Sequence, residues 1–457
     1  MKYGGGKMAG RKSIDFLQGN VTKQMLLFTL PLILGELLQT LYNSVDLLVV
    51  GNFVSDEAQA AISVGATIAN LVISFFNGMS VGASVIVARA FGKGNRNELI
   101  TTITTVFTFS AVLGLILSVI GMLLTPQLVA LCTPPKDVFS EAVSYLRIYL
   151  AGLMFTVIYN IGAGILRAIG NSQTPFVILA ATSLLNMVLD VLFVTAIPLG
   201  IVGVSIATVI SQAISVLLIY WELYRFDKTI GISFREMRAQ RKTVYEAANI
   251  GIPSGMQGAL IAFSNLFMWR YIGMLRSTSA IAGIGIAQRL DHFAAIPPKA
   301  FGVTLTTFIG QNEGAGNHTR AKTGKYYNLT LSIVVTMSVG VFFYCFAPFL
   351  VKIFNQNPEI ISVGISMMRT LMPFYFVMAL REFFLGTLRG YGNAHIPMVL
   401  SLCGMVGFRQ LYLFIAMNRR AELRVIYNCY PLAWAVTAAL LGVYYFWWNR
   451  KHKAIHT

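Results

Sequence analysis

Four polar side chains interrupt an otherwise apolar run between Pro31 and Gly51, PLILGELLQTLYNSVDLLVVG. Glu36, Gln39, Asn43 and Asp46 are spaced three or four residues apart, so on a helix they form one polar seam. The run is long enough to cross a bilayer, which takes about 20 residues. An ionised carboxylate in hydrocarbon costs roughly 3 kcal/mol or more, so it must face a bundle interior or a wet cavity and marks a functional position by default. Asp46, deepest in the motif Asn43-x-x-Asp46, is the first candidate. The plainer alternative makes it a structural partner for an arginine on a neighbouring helix.

A second acid lies further along. Asn186 and Asp190 are four residues apart in an apolar run and share one helix face. The next run carries Ser205, Thr208, Gln212 and Ser215, again at helical spacing. Hydroxyls in membrane helices often bond back to their own backbone, so that seam carries weight only in combination. Asp46, Asn186, Asp190 and Thr208 are all oxygen-bearing, and two are acids. Brought together, they could share a proton or coordinate a hard cation such as Na⁺. Later in the chain Arg270, Gln288, Arg289, Asp291, His292, Lys299, Arg381 and Glu382 also fall within apolar runs. Opposite charges lie near each other there, which fits local neutralisation. Arg270, Gln288 and Asp291 are the alternative, a second set of ion or substrate contacts. The many aromatic and methionine side chains mostly pack helices and meet lipid; a subset facing a cleft would suit flat cationic ligands.

The elements that must position these residues are membrane helices. The 457 residues are 56% hydrophobic and only 12% charged, against about 25% charged in soluble domains. Twelve spans are expected, at roughly 25–52, 60–88, 99–125, 139–165, 174–197, 200–224, 247–274, 280–308, 325–348, 361–387, 395–417 and 425–448. The longest polar break, 225–246, joins an N-terminal six-span lobe (1–224) to a C-terminal one (247–457). Cys132, Cys345, Cys403 and Cys429 are scattered and read as small apolar residues, with no case for a metal or a disulfide framework. The polar N-terminus reads without a cleavable signal. A net charge of +17 does not point to nucleic acid, because the basic residues sit in short loops, where they set orientation and meet anionic headgroups. Lys and Arg crowd one side, at both ends of the chain, around Lys93, Arg96, Arg167 and Arg389 and in the 225–246 break. The other side holds only Lys136, Arg276, Lys352, Arg419, Arg420 and Arg424. Both termini are therefore expected in the cytoplasm of a multi-pass plasma-membrane protein.

The strongest organisational signal is an internal repeat. A shift of 222 residues places Pro31 on Pro253, Asn43 on Asn265, Gly51 on Gly273 and Gly94-Asn95 on Gly316-Asn317. It also places Leu166-Arg167, Gly170-Asn171 and Pro175 on Leu388-Arg389, Gly392-Asn393 and Pro397. Six spans per copy return the chain to its starting side, so the copies are parallel repeats, which in transporters flank the substrate site. The copies agree in their turns and differ in their acids: Asp46 falls on Met268, Asp190 on Tyr412 and Asn186 on Phe408. Chemistry is thus expected in the first lobe.

These residues together resemble the multidrug and toxic compound extrusion (MATE) family, in its bacterial branch with an Asp in helix 1. The match is carried by Pro31 followed by Tyr42-Asn43-Ser-Val-Asp46 and Val50-Gly51, and by Gly92-Lys-Gly94-Asn95 echoed in Gly310-Gln311-Asn-Glu-Gly314-Ala-Gly316-Asn317. Leu166-Arg167-Ala-Ile-Gly170-Asn171, repeated at Leu388–Asn393, and Asn186-Met-Val-Leu-Asp190 complete it. The resemblance spans essentially the whole chain. It implies an all-α integral membrane protein of twelve helices, in two parallel six-helix repeats forming a V-shaped pair of lobes. It further implies secondary antiport: cationic, often aromatic drugs exported in exchange for H⁺ or Na⁺ by alternating access. By resemblance the coupling ion belongs at Asp46, Asn186, Asp190 and Thr208, and Pro31 is the residue that lets helix 1 bend, carrying Glu36, Gln39 and Asn43 with it. The seventh span, 249–274, has no acid, unlike members that use a second-lobe cation site there. Beyond the coupling ion no cofactor is expected, and a monomer in contact with membrane lipid is. A lipid-linked saccharide flippase of the same superfamily is the alternative; it should line its cleft with basic groups for pyrophosphate. An enzyme is not expected, since no HExxH, P-loop or paired metal ligands occur.

Overall fold

A computed structural model of the chain describes residues 13–130, 132, 135–197, 199–229 and 241–456; the side chains of 42–53, 56, 136–137 and 452–456 lie outside that description. All regular structure among the described residues is helical. Hydrocarbon offers a backbone no water to bond, so each span must satisfy its N–H and C=O groups within itself.

The first copy of the repeat comprises α1 (Val21–Phe53), α2 (Asp56–Gly92), α3 (Arg96–Ala130), α4 (Lys136–Ala151), α5 (Leu153–Ala168), α6 (Gln173–Val191) and α7 (Gly200–Phe226). The second comprises α8 (Arg241–Gly273), α9 (Thr278–Ala294), α10 (Ile296–Gly314), α11 (His318–Phe354), α12 (Pro358–Leu371), α13 (Tyr375–Gly390), α14 (His395–Leu402), α15 (Arg409–Arg419) and α16 (Leu423–His456). Several spans are two helices in series. α4 and α5 meet at Gly152 with a bend of 47°. α12 and α13 join through a 3₁₀ turn, and α14 and α15 through a π turn at Cys403–Phe408. Counting each series as one span gives the twelve expected. Among the described residues nine stretches are long and apolar enough to cross by themselves, and α4 with α5 makes ten. The remaining two, α8 and α9–α10, are those with Arg241, Gln288, Arg289, Asp291 and Lys299 in their sequence.

The 222-residue offset survives at the level of single hydrogen bonds. Ser55 caps α2 by accepting from the Ala58 N–H at 3.1 Å, and Ser277 caps α9 from the Ala280 N–H at 3.2 Å. Ser84 donates to the Gly164 carbonyl at 3.0 Å, and its equivalent Thr306 donates to the Gly386 carbonyl at 3.2 Å. α5 ends where the Asn171 N–H reaches back to the Leu166 carbonyl, and α13 where the Asn393 N–H reaches Leu388, both at 2.9 Å. That six-to-one closure needs a left-handed residue before the donor, supplied by Gly170 (φ 89°) and Gly392 (φ 74°). Prolines repeat as well: Pro31 and Pro253, Pro126 and Pro348, each inside a helix. The copies part at α2, which is unbroken, whereas its counterpart divides at Ala295, just ahead of Pro297 and Pro298. Two consecutive residues without an N–H cannot continue the ladder of α9.

The chain forms two compact units, and each takes the start of one helix from the other copy. The first unit is residues 1–17, 30–258 and 314–316; the second is 18–29, 259–313 and 317–457. In the first, α2 packs on α4 and α5, and α7 on α4, α5 and α6. The beginning of α8 lies directly on α2, backbone against backbone: a Cβ added to Gly78 would sit 2.3 Å from Gly255 N, and one on Gly82 2.5 Å from the Ala247 carbonyl. In the second unit the start of α1 is tied down by Arg320, which donates to the carbonyls of Gln18 and Gly19 at 3.1 and 2.9 Å. Thr29 and Thr304 hydroxyls meet there at 2.7 Å.

Two expectations follow. Gly78→Ala should destabilise the purified protein by about 1–3 kcal/mol, because backbone cannot move aside as a side chain can. Gly94→Ala meets nothing within 4 Å and bears only the strain of φ 69°, about 1 kcal/mol. Melting in detergent should rank the two in that order, and an unshifted Gly78→Ala would refute the close packing of α2 on α8. The second concerns Asp227, which caps α7 outside the spans. Burial raises its pKa, but hydrogen bonds from the Thr229 N–H (3.0 Å) and hydroxyl (2.7 Å), together with the Arg96 guanidinium, more than reverse this and hold it below the ordinary 3.8. A carboxylate depressed in the folded state stabilises above its unfolded pKa and loses that contribution as pH falls through the folded value. Asp227→Asn should therefore cost about 1 kcal/mol at pH 7, and the gap to wild type should close as pH drops from about 5 to 2. A gap that stays constant with pH would mean the carboxylate charge is not what stabilises this corner.

Candidate functional site

Within the first unit a buried polar strip runs along α6. Thr182, Ser183, Asn186 and Asp190 share one side of the helix; Asp190 is 0% exposed and Asn186 1%. α7 turns Ser205, Thr208, Ser211 and Ser215 inward, all buried. The two strips touch: Ser215 donates to the Thr182 oxygen at 2.9 Å, while Thr182 gives its own proton to the Ile178 carbonyl. Thr208 and Ser205 likewise donate to carbonyls one turn back, Val204 at 3.0 Å and Ile201 at 3.1 Å. A hydroxyl whose proton is committed to its own backbone acts toward other groups as an oxygen acceptor, the behaviour required for a proton-bearing carboxyl or a hard cation. α6 does not end cleanly after Asp190. It widens into a π turn at Leu192–Ala196, a rare geometry found disproportionately at functional sites.

The helix-1 members are placed only in part. α1 is helical throughout, and Pro31 is buried within it. Glu36 is exposed and Gln39 half-buried. The side chains of Asn43 and Asp46 lie outside the described residues. Glu36 lies within electrostatic range of Arg167 and Tyr159. Arg167, which the charge pattern assigns to a loop, instead turns into the unit toward the Ser80 hydroxyl at 3.4 Å.

The second unit holds a different set. Asp291 accepts from the Tyr375 hydroxyl, and Gln288 donates to Tyr430 at 2.9 Å. Tyr375 and Tyr430 both stand edge-on to Trp434, with centroids 5.3 and 6.4 Å away. Gln288 and Asp291 thus belong to one polar-aromatic cluster, while Arg270 is exposed in the last turn of α8. Local neutralisation holds for Arg381, which pairs with Glu382. Lys325, at the start of the expected span 325–348, is buried, its ammonium 5.2 and 5.5 Å from the ring centres of Tyr445 and Tyr326. Arg409, which spacing arguments passed over, is 2% exposed in the middle of a span. A lone arginine in the apolar run 395–417 was the signal available for it. Among the described residues no three His, Cys, Asp or Glu side chains converge as a metal site.

Two homologous six-span units with ionisable groups buried inside their helices define a polytopic membrane transporter. A family model for MatE matches residues 31–192 and 253–415, one segment in each copy. This chain belongs to that family. Among its relatives is the probable multidrug resistance protein YpnP of Bacillus subtilis, 28% identical over 391 residues that cover 86% of this chain and 87% of that protein. Another is the probable multidrug resistance protein NorM of Thermotoga maritima, 24% identical over 388 residues, covering 83% and 82%. A solved structure described as an outward-facing multidrug resistance MATE family transporter of the MOP superfamily superposes with a TM-score of 0.88 at 22% identity, covering 98% of this chain and 99% of that one. A MOP superfamily transporter from Pyrococcus furiosus, described as having a binding pocket of reversed polarity, gives the same score and identity over 98% and 100%.

Proposed function

We propose that this protein is a secondary antiporter of the plasma membrane that exports cationic, often aromatic compounds in exchange for H⁺ or Na⁺. The observation that carries this reading is Asp190, fully buried in the apolar span α6, the helix whose Thr182 accepts from Ser215 of α7. An acid so placed inside a membrane span marks an ion pathway by default. The names of the relatives, probable multidrug resistance proteins, support drugs as the cargo. In the proposed cycle, Asp46 and Asp190 take a cation from outside, with Asn186 and Thr208 supplying neutral oxygens. Neutralising the helix-1 seam of Glu36, Gln39, Asn43 and Asp46 removes its attraction for a cationic drug, and Pro31 lets the helix repack. The drug leaves, access alternates, and the site releases its cation inside. Linkage makes the exchange reciprocal: if the cation weakens drug binding, the drug must expel the cation with the same coupling, typically about 1–3 kcal/mol.

Everted vesicles with pH and Na⁺ gradients imposed separately test this directly. One gradient should drive drug uptake, and Asp190→Asn and Asp46→Asn should each reduce it at least about 5-fold at equal expression, the loss expected when a coupling of about 1–3 kcal/mol disappears. Substitutions at the aligned Tyr412 and Met268 should be mild. Adding drug to purified protein in weak buffer should release protons if H⁺ is the coupled ion; indifference to both ions would reduce these acids to structure. Orientation is tested independently. An impermeant thiol reagent applied outside should label a cysteine introduced at Lys136 and spare one at Arg238, and the reverse pattern would invert the topology.

A further inference from the structure

The second unit buries a positive charge that its own acids do not neutralise. Arg409 begins α15 immediately after the π turn Cys403–Phe408. Its Nη2 donates to the Ser264 hydroxyl at 2.9 Å, and Gln410 donates to that same oxygen at 2.9 Å. Its Nε has no acceptor among the described residues, and it makes no ion pair there. The titratable groups that face it are Cys429, Tyr430 and Arg381, none of them a carboxylic acid. Arg381 approaches the same turn from α13. Its Nη2 is paired with Glu382, its Nη1 reaches only the thioether sulfur of Met405 at 3.4 Å, and its Nε also has no acceptor among the described residues. The other acid of this unit's interior, Asp291, is engaged by Tyr375 and has Lys299 as its cationic neighbour.

The cluster of Arg409, Arg381 and Glu382 therefore carries a net single positive charge, with two guanidinium N–H groups unanswered at 2% and 7% exposure. A buried charge left without a partner is destabilising, and a buried donor without an acceptor adds to that penalty. Serine hydroxyl and methionine sulfur are weak partners for such forks, which match an anion far better. We propose that Arg409 and Arg381 form an anion site at the widened turn of the second unit, taking one monovalent anion. That anion is either free chloride or the carboxylate of a zwitterionic exported compound. The site is separate from the acidic strip of the first unit, and binding at it does not depend on how export is coupled.

Thermal unfolding of the purified full-length chain in detergent reads the site without transport. Choline chloride is exchanged for the choline salt of a bulky aliphatic sulfonate, an anion without a carboxylate, at constant ionic strength. In parallel, an aromatic amine bearing a carboxylate is compared with its methyl ester. Occupancy at tens of Kd should raise the melting midpoint by roughly 2–4 °C. A shift with chloride identifies a free ion; a shift with the acid but not the ester places the anion on the compound. Either shift should vanish in Arg409→Gln, and Arg409→Lys, which keeps the charge but loses the fork, should need at least about 5-fold more ligand. Should Arg409→Gln fail to fold, the wild-type titration and Arg409→Lys decide. The proposal is overturned if neither anion moves the wild-type midpoint, or if Arg409→Gln responds as wild type does.

Discussion

Hydrocarbon does not forgive an unanswered polar group, and nearly every feature of this molecule follows from that. The backbone can only be helical, and the hydroxyls that stud its spans mostly donate to a carbonyl one turn back, as Thr125, Thr182 and Thr437 do. The α9–α10 break falls just ahead of Pro297 and Pro298, which bring no N–H to the ladder. Against so strict a background, an ionised side chain inside a span is an event that needs a reason. The described spans supply few such events, and those buried deepest are Asp190 in the first unit and Lys325, Arg409 and Arg381 in the second.

The two copies share a scaffold and divide their chemistry. Caps, turns and even one hydroxyl-to-carbonyl bond coincide across the repeat, because a six-span unit that folds once will fold again. Arg167 and Arg389 fall on each other, but most of the charged positions do not coincide. Asp190 aligns with Tyr412, whereas Arg409 aligns with Met187, Arg381 with Tyr159 and Asp291 with Ala69. Duplication supplied two equivalent interiors, and substitution then made one acidic and the other predominantly basic around its π turn. The two widened turns also sit at different depths: Leu192 follows Asp190, while Cys403 aligns with Ala181. A widened turn is a local matter, set by the side chains of one helix and not by the repeat.

Much of this was legible from residue order. Apolar runs located most of the spans by length and hydropathy, ten of them among the described residues, and the repeat supplied the polar α8 and α9–α10. The 222-residue offset predicted the glycine turns at Gly170 and Gly392, since only a left-handed residue closes that helix end. Burial of Asn186, Asp190 and Thr208 followed from helical spacing alone. Other features were hidden for identifiable reasons. Lys325 and Arg167 sit near helix ends, where sequence cannot distinguish a snorkelling cation from one turned inward onto Tyr445 or Ser80. The pairing of Asp291 with Tyr375 joins helices 84 residues apart, beyond the reach of any periodicity. The same holds for Arg409 and Ser264, 145 residues apart.

The reciprocal placement of the two first helices bears on how the protein is made. Residues 241–258 complete the first unit by lying against Gly78 and Gly82, yet the ribosome adds them only after α7 is finished. During synthesis, then, the first six spans enter the membrane with a bare glycine face on α2, and they mature only when the second copy begins to emerge. Residues 18–29 wait longer, since Arg320 is made some three hundred residues after the carbonyls it holds. Each half is thus an unfinished object that its sibling closes. A gene break between residues 230 and 240 would be expected to yield fragments that are short-lived apart and persistent when made together.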